Sequence, residues 1–362
     1  MVTIPIRNRD LCAYDLISLG ECMIRLSPPG HERLEYANRL EVWVGGAEYH
    51  VAYALARLGM RTGWVSRLPD NPLGRLILNH GRAVGVDMKH VVLVPYDGVG
   101  KESRVGLNFT EVGTGLRSSV TMYDRGHSAA SQMRPGQVNW ESLFQNLGVS
   151  WFHLGGIFTA LSKETALVAE EAMRAAKEAG TIVSYDLNFR SKLWSSEQAQ
   201  RVTRPLLQYM DFLIGNEEDF QKVLGYAIEG VDERLLELPT ESYKAMVGKV
   251  VRDYPDLKGV GTTLREVVSG LVNNWSGILY YDGAFYESRR YEGLEIEDRV
   301  GGGDGFASGL IYGFLNNWTP EECVELGTAH GALIQSTRGD TSMISLDEVL
   351  HVMSGGTARI KR

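Results

Sequence analysis

Glu297-Asp298-Arg299-Val300-Gly301-Gly302-Gly303-Asp304-Gly305-Phe306-Ala307-Ser308-Gly309 is the stretch on which the reading of this chain turns. Three consecutive glycines run into an aspartate, and Phe306, Leu310, Ile311 and Phe314 follow at helical spacing. A glycine-rich turn therefore delivers an acid to the first turn of a helix. The first N–H groups of a helix lack intrahelical partners and carry partial positive charge. Glycines let a phosphate approach those groups with no Cβ in the way. The acid can take a proton from a hydroxyl while the N–H groups hold the charge of a transferring phosphoryl. Read alone, the same residues also describe an aspartate capping a helix after a flexible turn, so the rest of the chain has to decide.

The chain has 362 residues, 44% hydrophobic and 23% charged, which suits one large or two smaller globular domains. Its net charge of -8 argues against a general nucleic-acid surface but leaves room for a local basic pocket. Cys12, Cys22 and Cys323 are odd in number, far apart and without C-x-x-C spacing. They point away from a disulfide framework or zinc site and toward a reducing cytosol. Met1 to Asp10 has no signal-like apolar run, and no stretch reaches the ~18 apolar residues of a membrane span. A cytoplasmic protein with no membrane partner is expected.

Along the chain, Tyr14 to Gly20 reads as a buried parallel strand. Residues 25–43 read as turns and short exposed strands. Gly45-Gly46 opens an Ala-rich helix that closes at Gly59, followed by a strand at 62–66 and a helix at 71–84. Short alternating segments between Val91 and Ala130 suggest antiparallel strands with one wet face. From residue 150 the rhythm is strand and helix in alternation, with strands at 150–154, 181–187, 211–214 and 259–263. Helices fall at 163–179, 196–207, 217–224 and 240–252, and a meander at 267–288 turns on Tyr-Asp-Gly. Helices from 305, at 320–336 and at 346–353 complete the chain. Repeated β–α units imply a parallel sheet with helices on both faces and ligands beyond the C-terminal strand ends. The glycine turns at 45–46 and 301–303 fall at such junctions.

Gly45-Gly46-Ala47, with the helix ending Leu55-Ala56-Arg57-Leu58-Gly59, resembles the N-terminal signature of the ribokinase-like (PfkB) carbohydrate kinases. Asp298 to Asp304 resembles their C-terminal D-T-x-G-A-G-D signature, with Arg299 in place of Thr and Gly302 in place of Ala. Within that family the chain is most similar to the 2-keto-3-deoxygluconate kinases. The stretches Gly20-Glu21-Cys22-Met23-Ile24-Arg25-Leu26-Ser27-Pro28, Tyr123-Asp124-Arg125-Gly126-His127-Ser128-Ala129-Ala130-Ser131 and Asp186-Leu187-Asn188-Phe189-Arg190-Ser191-Lys192-Leu193-Trp194 carry that likeness. The resemblance implies a three-layer α/β/α body with a mainly parallel sheet and a small β-strand lid. It also implies a kinase domain over 12–345, a lid formed by about 22–45 and 95–126, a loose lead-in at 1–11, and a C-terminal helix and tail at 346–362.

The resemblance implies ATP-dependent phosphorylation of the sugar acid to its 6-phosphate, by in-line transfer with Asp304 as base. Gly301, Gly302 and Gly303 would form the anion hole, and Gly45, Gly46 and Asn108 would contact the sugar. Tyr123, Arg125 and Arg190 would bind the sugar acid, which fits the affinity of an arginine fork for a carboxylate. An aspartate commonly stands where Arg25 stands here, and its absence suits an acidic substrate. Asn188 would sit near the ATP phosphates. Asn216-Glu217-Glu218-Asp219 resembles the N-x-x-E motif that helps place Mg²⁺ through water, so Asp219 or Glu218 would serve there. His50 replaces a common asparagine, and both substrate binding and simple packing are open to it. Thr262-Thr263-Leu264-Arg265-Glu266-Val267 lacks the glycines of the usual nucleotide loop, which leaves Thr263 and Arg265 as the expected ATP contacts. His330 matches a position that lines the adenine site, and a buried structural histidine is the other reading. The resemblance leaves room for a monovalent cation, and open lid edges suggest a dimer through the lid. The rivals are a kinase for fructose or a related keto-acid, and an inactive sugar-acid-binding regulatory protein. A dinucleotide-binding oxidoreductase is weak, because no G-x-G-x-x-G follows the first strand.

Overall fold

The computed structural model describes residues 4–226, 240–298 and 300–356. In chain order, β1 (Tyr14–Leu19), β2 (Met23–Ser27) and β3 (Glu41–Gly45) lead to α1 (Ala47–Arg57). Then come β4 (Thr62–Pro69), α2 (Pro72–Arg82), β5 (Val91–Val94), β6 (Leu107–Glu111) and β7 (Val120–Asp124). The next run is β8 (Val149–Gly155), α3 (Gly156–Thr159), α4 (Lys163–Glu178), β9 (Ile182–Asp186), α5 (Ser196–Leu206) and β10 (Phe212–Gly215). After α6 (Glu217–Asp219) and α7 (Thr240–Asp253) come β11 (Gly259–Ser269), β12 (Val272–Tyr281), β13 (Ala284–Glu287) and β14 (Tyr291–Glu295). Three helices close the chain: α8 (Gly302–Leu315), α9 (Pro320–Ile334) and α10 (Leu346–Met353).

The large sheet runs β13-β12-β11-β10-β9-β8-β1-β4-β5, with β14 beside β12. From β11 to β5 every pair is parallel, and only the β11–β12–β13 end is antiparallel. Alternate residues of the central strands serve two cores, as a pleat requires. Leu16, Trp64, Trp151 and Phe212 pack with α1, α8 and α9. Their neighbours Ile17, Val65, Phe152 and Leu213 pack with α4, α5 and α7 on the other face. The result is the expected three-layer α/β/α body.

Helix starts separate into two kinds. Ser162, Ser195, Thr319 and Ser345 form reciprocal capping boxes at α4, α5, α9 and α10. By contrast, α1 and α8 begin on Gly46 and Gly301 with no side-chain cap. Their first N–H groups are left to other partners, and both helices start at the same cavity.

The small sheet has the order β3-β2-β6-β7, with β2 and β6 parallel and the outer pairs antiparallel. Its inner face presents Met23, Arg25, Asn108, Thr110, Thr121 and Tyr123 to the cavity. The register puts Leu26, Val42, Phe109, Met122 and Val120 on the opposite face.

Several local expectations are corrected. β2 is buried rather than exposed, because Arg25 reaches into the body. β5 belongs to the edge of the large sheet and not to the antiparallel region. The chain at 259–281 forms one long hairpin, since Thr262, Thr263, Val267 and Val268 favour extended backbone and no glycine interrupts them. The hairpin tip meets the small sheet's 113–119 connection, where the Gly270 N–H donates to the Gly115 carbonyl at 3.0 Å. The helix expected at 217–224 widens into a π-helical turn at Phe220–Leu224. Residues 4–11 are tied down: Arg9 pairs with Asp15 at 2.8 Å and reaches the Leu315 carbonyl at 3.2 Å.

Phe314 tests the sheet-to-α8 packing. It is fully buried, with ring centroids 4.9 Å from Phe212 and 5.2 Å from Tyr281. Phe314→Ala should cost about 3–5 kcal/mol of stability in denaturant titration, with substrate KM values unchanged.

Candidate active site

One cavity of about 490 Å³ lies where the small sheet faces the C-terminal ends of the parallel strands. Gly301 enters α8 with φ of 85°, a conformation that suits glycine, and a Cβ there would stand 2.7 Å from the Asp340 carbonyl. A Cβ at Gly303 would meet nothing within 4 Å, so the helix start is open on that side. Asp304 follows in the first turn with its side chain 14% exposed to the cavity.

His50 bridges the two uncapped helix starts. Its Nδ1 lies 2.6 Å from Asp304 Oδ2, and its Nε2 lies 2.9 Å from the Gly46 nitrogen. Burial opposes a charged imidazolium here, but the carboxylates of Asp304 and Asp340 outweigh it and hold the pKa above its ordinary value. His50 lines the cavity, and to the two readings left open for it the structure adds a contact with the acid at the head of α8. The Gly46 N–H is correspondingly engaged by His50.

Arg25 bonds Asp298 and Asp340 and also donates from Nε to Ser27 Oγ at 3.0 Å. All three charged groups are buried. Asp340 also packs on Gly45, where a Cβ would stand 2.3 Å from its Oδ2. Asp298, Asp340 and Glu21 are cavity or near-cavity acids that sequence reasoning assigned no role. The one local signal for Asp340 is the Gly339-Asp340 turn after α9, with Gly339 at φ of 93°. Arg299 lies outside the described residues.

The remaining arginines differ in charge balance. Arg125 is paired with buried Glu21, and its guanidinium lies 5.5 Å from the Tyr123 ring centroid. Arg190 makes no ion pair among the described residues; its Nη1 donates to the Phe189 carbonyl at 2.9 Å. Tyr123, Arg125, Arg190 and buried Asn108 all line the cavity.

Asn188, Asn216, Glu218, Asp219, Thr263 and Arg265 also line the cavity. Asn188 is held at φ of 34°, while Asp219 accepts the Phe189 N–H at 2.8 Å and the Asn216 N–H at 2.9 Å. Asp219 is thus a clamp between two loops, whereas Glu218 is exposed. Burial pushes the Asp219 carboxyl above its usual range, against those N–H donors. The adenine role for His330 is corrected. It is fully buried outside the cavity lining, between Ser308 Oγ at 3.1 Å and Ser342 Oγ at 2.8 Å. Burial lowers its pKa to about 4.

The profile of the pfkB family carbohydrate kinases matches residues 14–247 and 276–346. The chain belongs to the pfkB family of carbohydrate kinases. It is 32% identical to the 2-dehydro-3-deoxygalactonokinase of Haloferax volcanii, over 96% of this chain and 99% of that one. It is 26% identical to the 5-dehydro-2-deoxygluconokinase of Geobacillus thermodenitrificans, covering 92% and 91% of the two chains. The solved 2-dehydro-3-deoxygluconokinase of Thermotoga maritima superposes with a TM-score of 0.87 at 40% identity, over 94% of this chain and 99% of that one. A kinase of this family uses ATP as co-substrate together with Mg²⁺. Among the described residues no cluster of three or more acids, histidines or cysteines could hold a metal ion. The exposed Glu218 and the already bonded Asp219 therefore fit a Mg²⁺ reached through water.

Beneath the pfkB site lies Glu48, whose carboxyl oxygens have no partner within hydrogen-bond geometry. Burial, with the charge of Asp304 adding to it, pushes its pKa up to about 7, although the Glu48 and Phe158 N–H groups pull it back. A carboxyl whose folded pKa exceeds its unfolded value adds stability below the unfolded value, and loses it as pH rises through the folded one. Glu48 should therefore erode stability between about pH 4.5 and 7, by up to roughly 3 kcal/mol. Glu48→Gln should flatten that part of the stability-versus-pH curve measured by urea titration.

Proposed function

We propose that this pfkB kinase transfers the terminal phosphoryl group of ATP to the 6-hydroxyl of 2-keto-3-deoxygluconate (2-dehydro-3-deoxy-D-gluconate). The observation that carries this is the unpaired guanidinium of Arg190 in the same cavity as Asp304. Arg25 and Arg125 are already neutralised by acids, so Arg190 is the arginine left for a substrate carboxylate. The two more similar relatives described above are both named for keto-deoxy sugar acids. The galactonate-type epimer is the second candidate, because one of them is named for it.

In this reading Asp304 accepts the proton of the hydroxyl as its oxygen attacks the terminal phosphorus, and the bond to ADP breaks in line. The N–H groups of Gly301, Gly302 and Gly303 hold the charge on the transferring group. Glu218, Asp219 and Asn216 would hold Mg²⁺ through water, and the ion would supply neutralising charge to the ATP phosphates. Asn188, Thr263 and Arg265 meet the nucleotide phosphates. Tyr123, Arg125, Asn108, Gly45 and Gly46 surround the sugar. A monovalent cation finds little here, since Asp298 and Asp340 are already neutralised by Arg25. Residues 12–345 form the catalytic unit with the small sheet as its lid. The three cysteines are buried and free, which suits the cytoplasm.

The lid also supports a dimer. Val42, Val120 and Met122 are more than half exposed on its outer face, beside Leu26 and Phe109. A Val120→Asp, Met122→Asp double variant should run at half the wild-type mass in light scattering; an unchanged mass would exclude this interface.

Arg190→Ala should raise KM for 2-keto-3-deoxygluconate by about 10- to 100-fold and leave KM for ATP little changed. An unaltered sugar-acid KM would sink the acid-substrate reading. Asp304→Asn should lower kcat by about 10²- to 10⁴-fold in a coupled ADP-release assay.

A further inference from the structure

His50 sits one helical turn after Gly46, almost wholly buried, with each ring nitrogen facing a different kind of partner. The Gly46 N–H can only donate, so Nε2 must be the acceptor nitrogen of the ring. The proton of the neutral imidazole is then on Nδ1, aimed at Asp304 Oδ2 at 2.6 Å. We propose that His50 is a positioning residue for Asp304, its Nδ1–H fixing Oδ2 so that Oδ1 is presented to the substrate hydroxyl. The proposal rests on Asp304 being the base.

The Gly46 N–H opposes a proton relay through the ring, because a proton passed from Asp304 to Nδ1 would have to leave from Nε2 toward that donor. In this reading the proton taken by Asp304 leaves through the cavity. The charged and titratable groups around the ring are consistent with this. Asp304 faces it from α8, Asp340 from the turn after α9 with Arg25 behind it on β2, and His80 from α2. Protonation at Nε2, which the two carboxylates favour, would set it against the Gly46 N–H. Asp304, Asp340 and the Val44 carbonyl raise the pKa of the ring, and the Gly46 N–H at Nε2 opposes them.

Two variants separate the roles of the ring nitrogens. In His50→Gln the amide oxygen takes the place of Nε2 and keeps the Gly46 bond, but Asp304 loses its donor. We expect kcat to fall about 10- to 100-fold with both KM values within about threefold. In His50→Asn the amide nitrogen takes the place of Nδ1, and most of the lost kcat should return. A Gln variant with wild-type kcat overturns the proposal, and so does an Asn variant as impaired as Gln. Asp304→Asn is assayed beside them. If it retains wild-type kcat, the assignment of the base fails; if it is inactive while His50→Gln is fully active, only the role of His50 fails.

Discussion

The site depends first on one buried cation. Arg25 comes from the small sheet, Asp298 from the approach to the glycine turn, and Asp340 from the turn after α9. Taking three charges out of water is costly and is repaid only where geometry and further hydrogen bonds are good. Here Ser27 takes the remaining Nε–H, and the Gly339 N–H approaches Asp298 at 3.4 Å. The gain is positional. Asp340 packs on Gly45 through its carboxylate and on Gly301 through its carbonyl, so one cluster sets both glycine turns against β2. The end of the small sheet that carries Arg25 is therefore anchored to the body.

Around that anchor the charge balance explains which arginine is left for a substrate. Glu21, Asp186, Asp219 and Asp304 line a cavity whose ligands are anions. Burial and the nearby charges of Asp219 and Asp304 hold the Asp186 carboxyl well above its usual range. Burial likewise pushes the Glu48 carboxyl below them up to about 7. Arg125 answers Glu21, Arg25 answers the two acids behind the glycines, and the N-terminus of α8 supplies positive potential without a side chain. Only Arg190 and Arg265 carry cationic charge into the cavity with no carboxylate ion pair among the described residues.

The features legible from sequence were those written in consecutive residues. Gly301 to Asp304 and Gly45-Gly46 each state a local conformation, and the strand–helix rhythm states the sheet. What escaped was written in pairs far apart in the chain. Arg25 looked like a missing aspartate because its partners lie 273 and 315 positions away. His50 stayed ambiguous because its partner is 254 positions away. Thr262 to Val267 read as a nucleotide loop without its glycines. Those residues instead continue a strand whose partner, β12, supplies the reason. His330 could be placed beside a ligand or inside the core, and only the two serines around it decide for the core.

Two of the glycine-capped helices, α1 and α8, meet at one point, and they use their free ends differently. α1 and α8 pack against each other, and the polar contact at their heads is the His50–Asp304 pair. At α1 the N–H of the cap residue Gly46 is consumed by His50 and fixes a tautomer. At α8 the space beside Gly303 is open, so its donors remain for a phosphoryl group. A helix start can serve either as an internal reference for a side chain or as an anion site, because each N–H has one bond to give. Joining the two helix starts through a single imidazole places Asp304 beside an open helix N-terminus, which is the arrangement that the proposed proton removal and phosphoryl transfer at one hydroxyl would use.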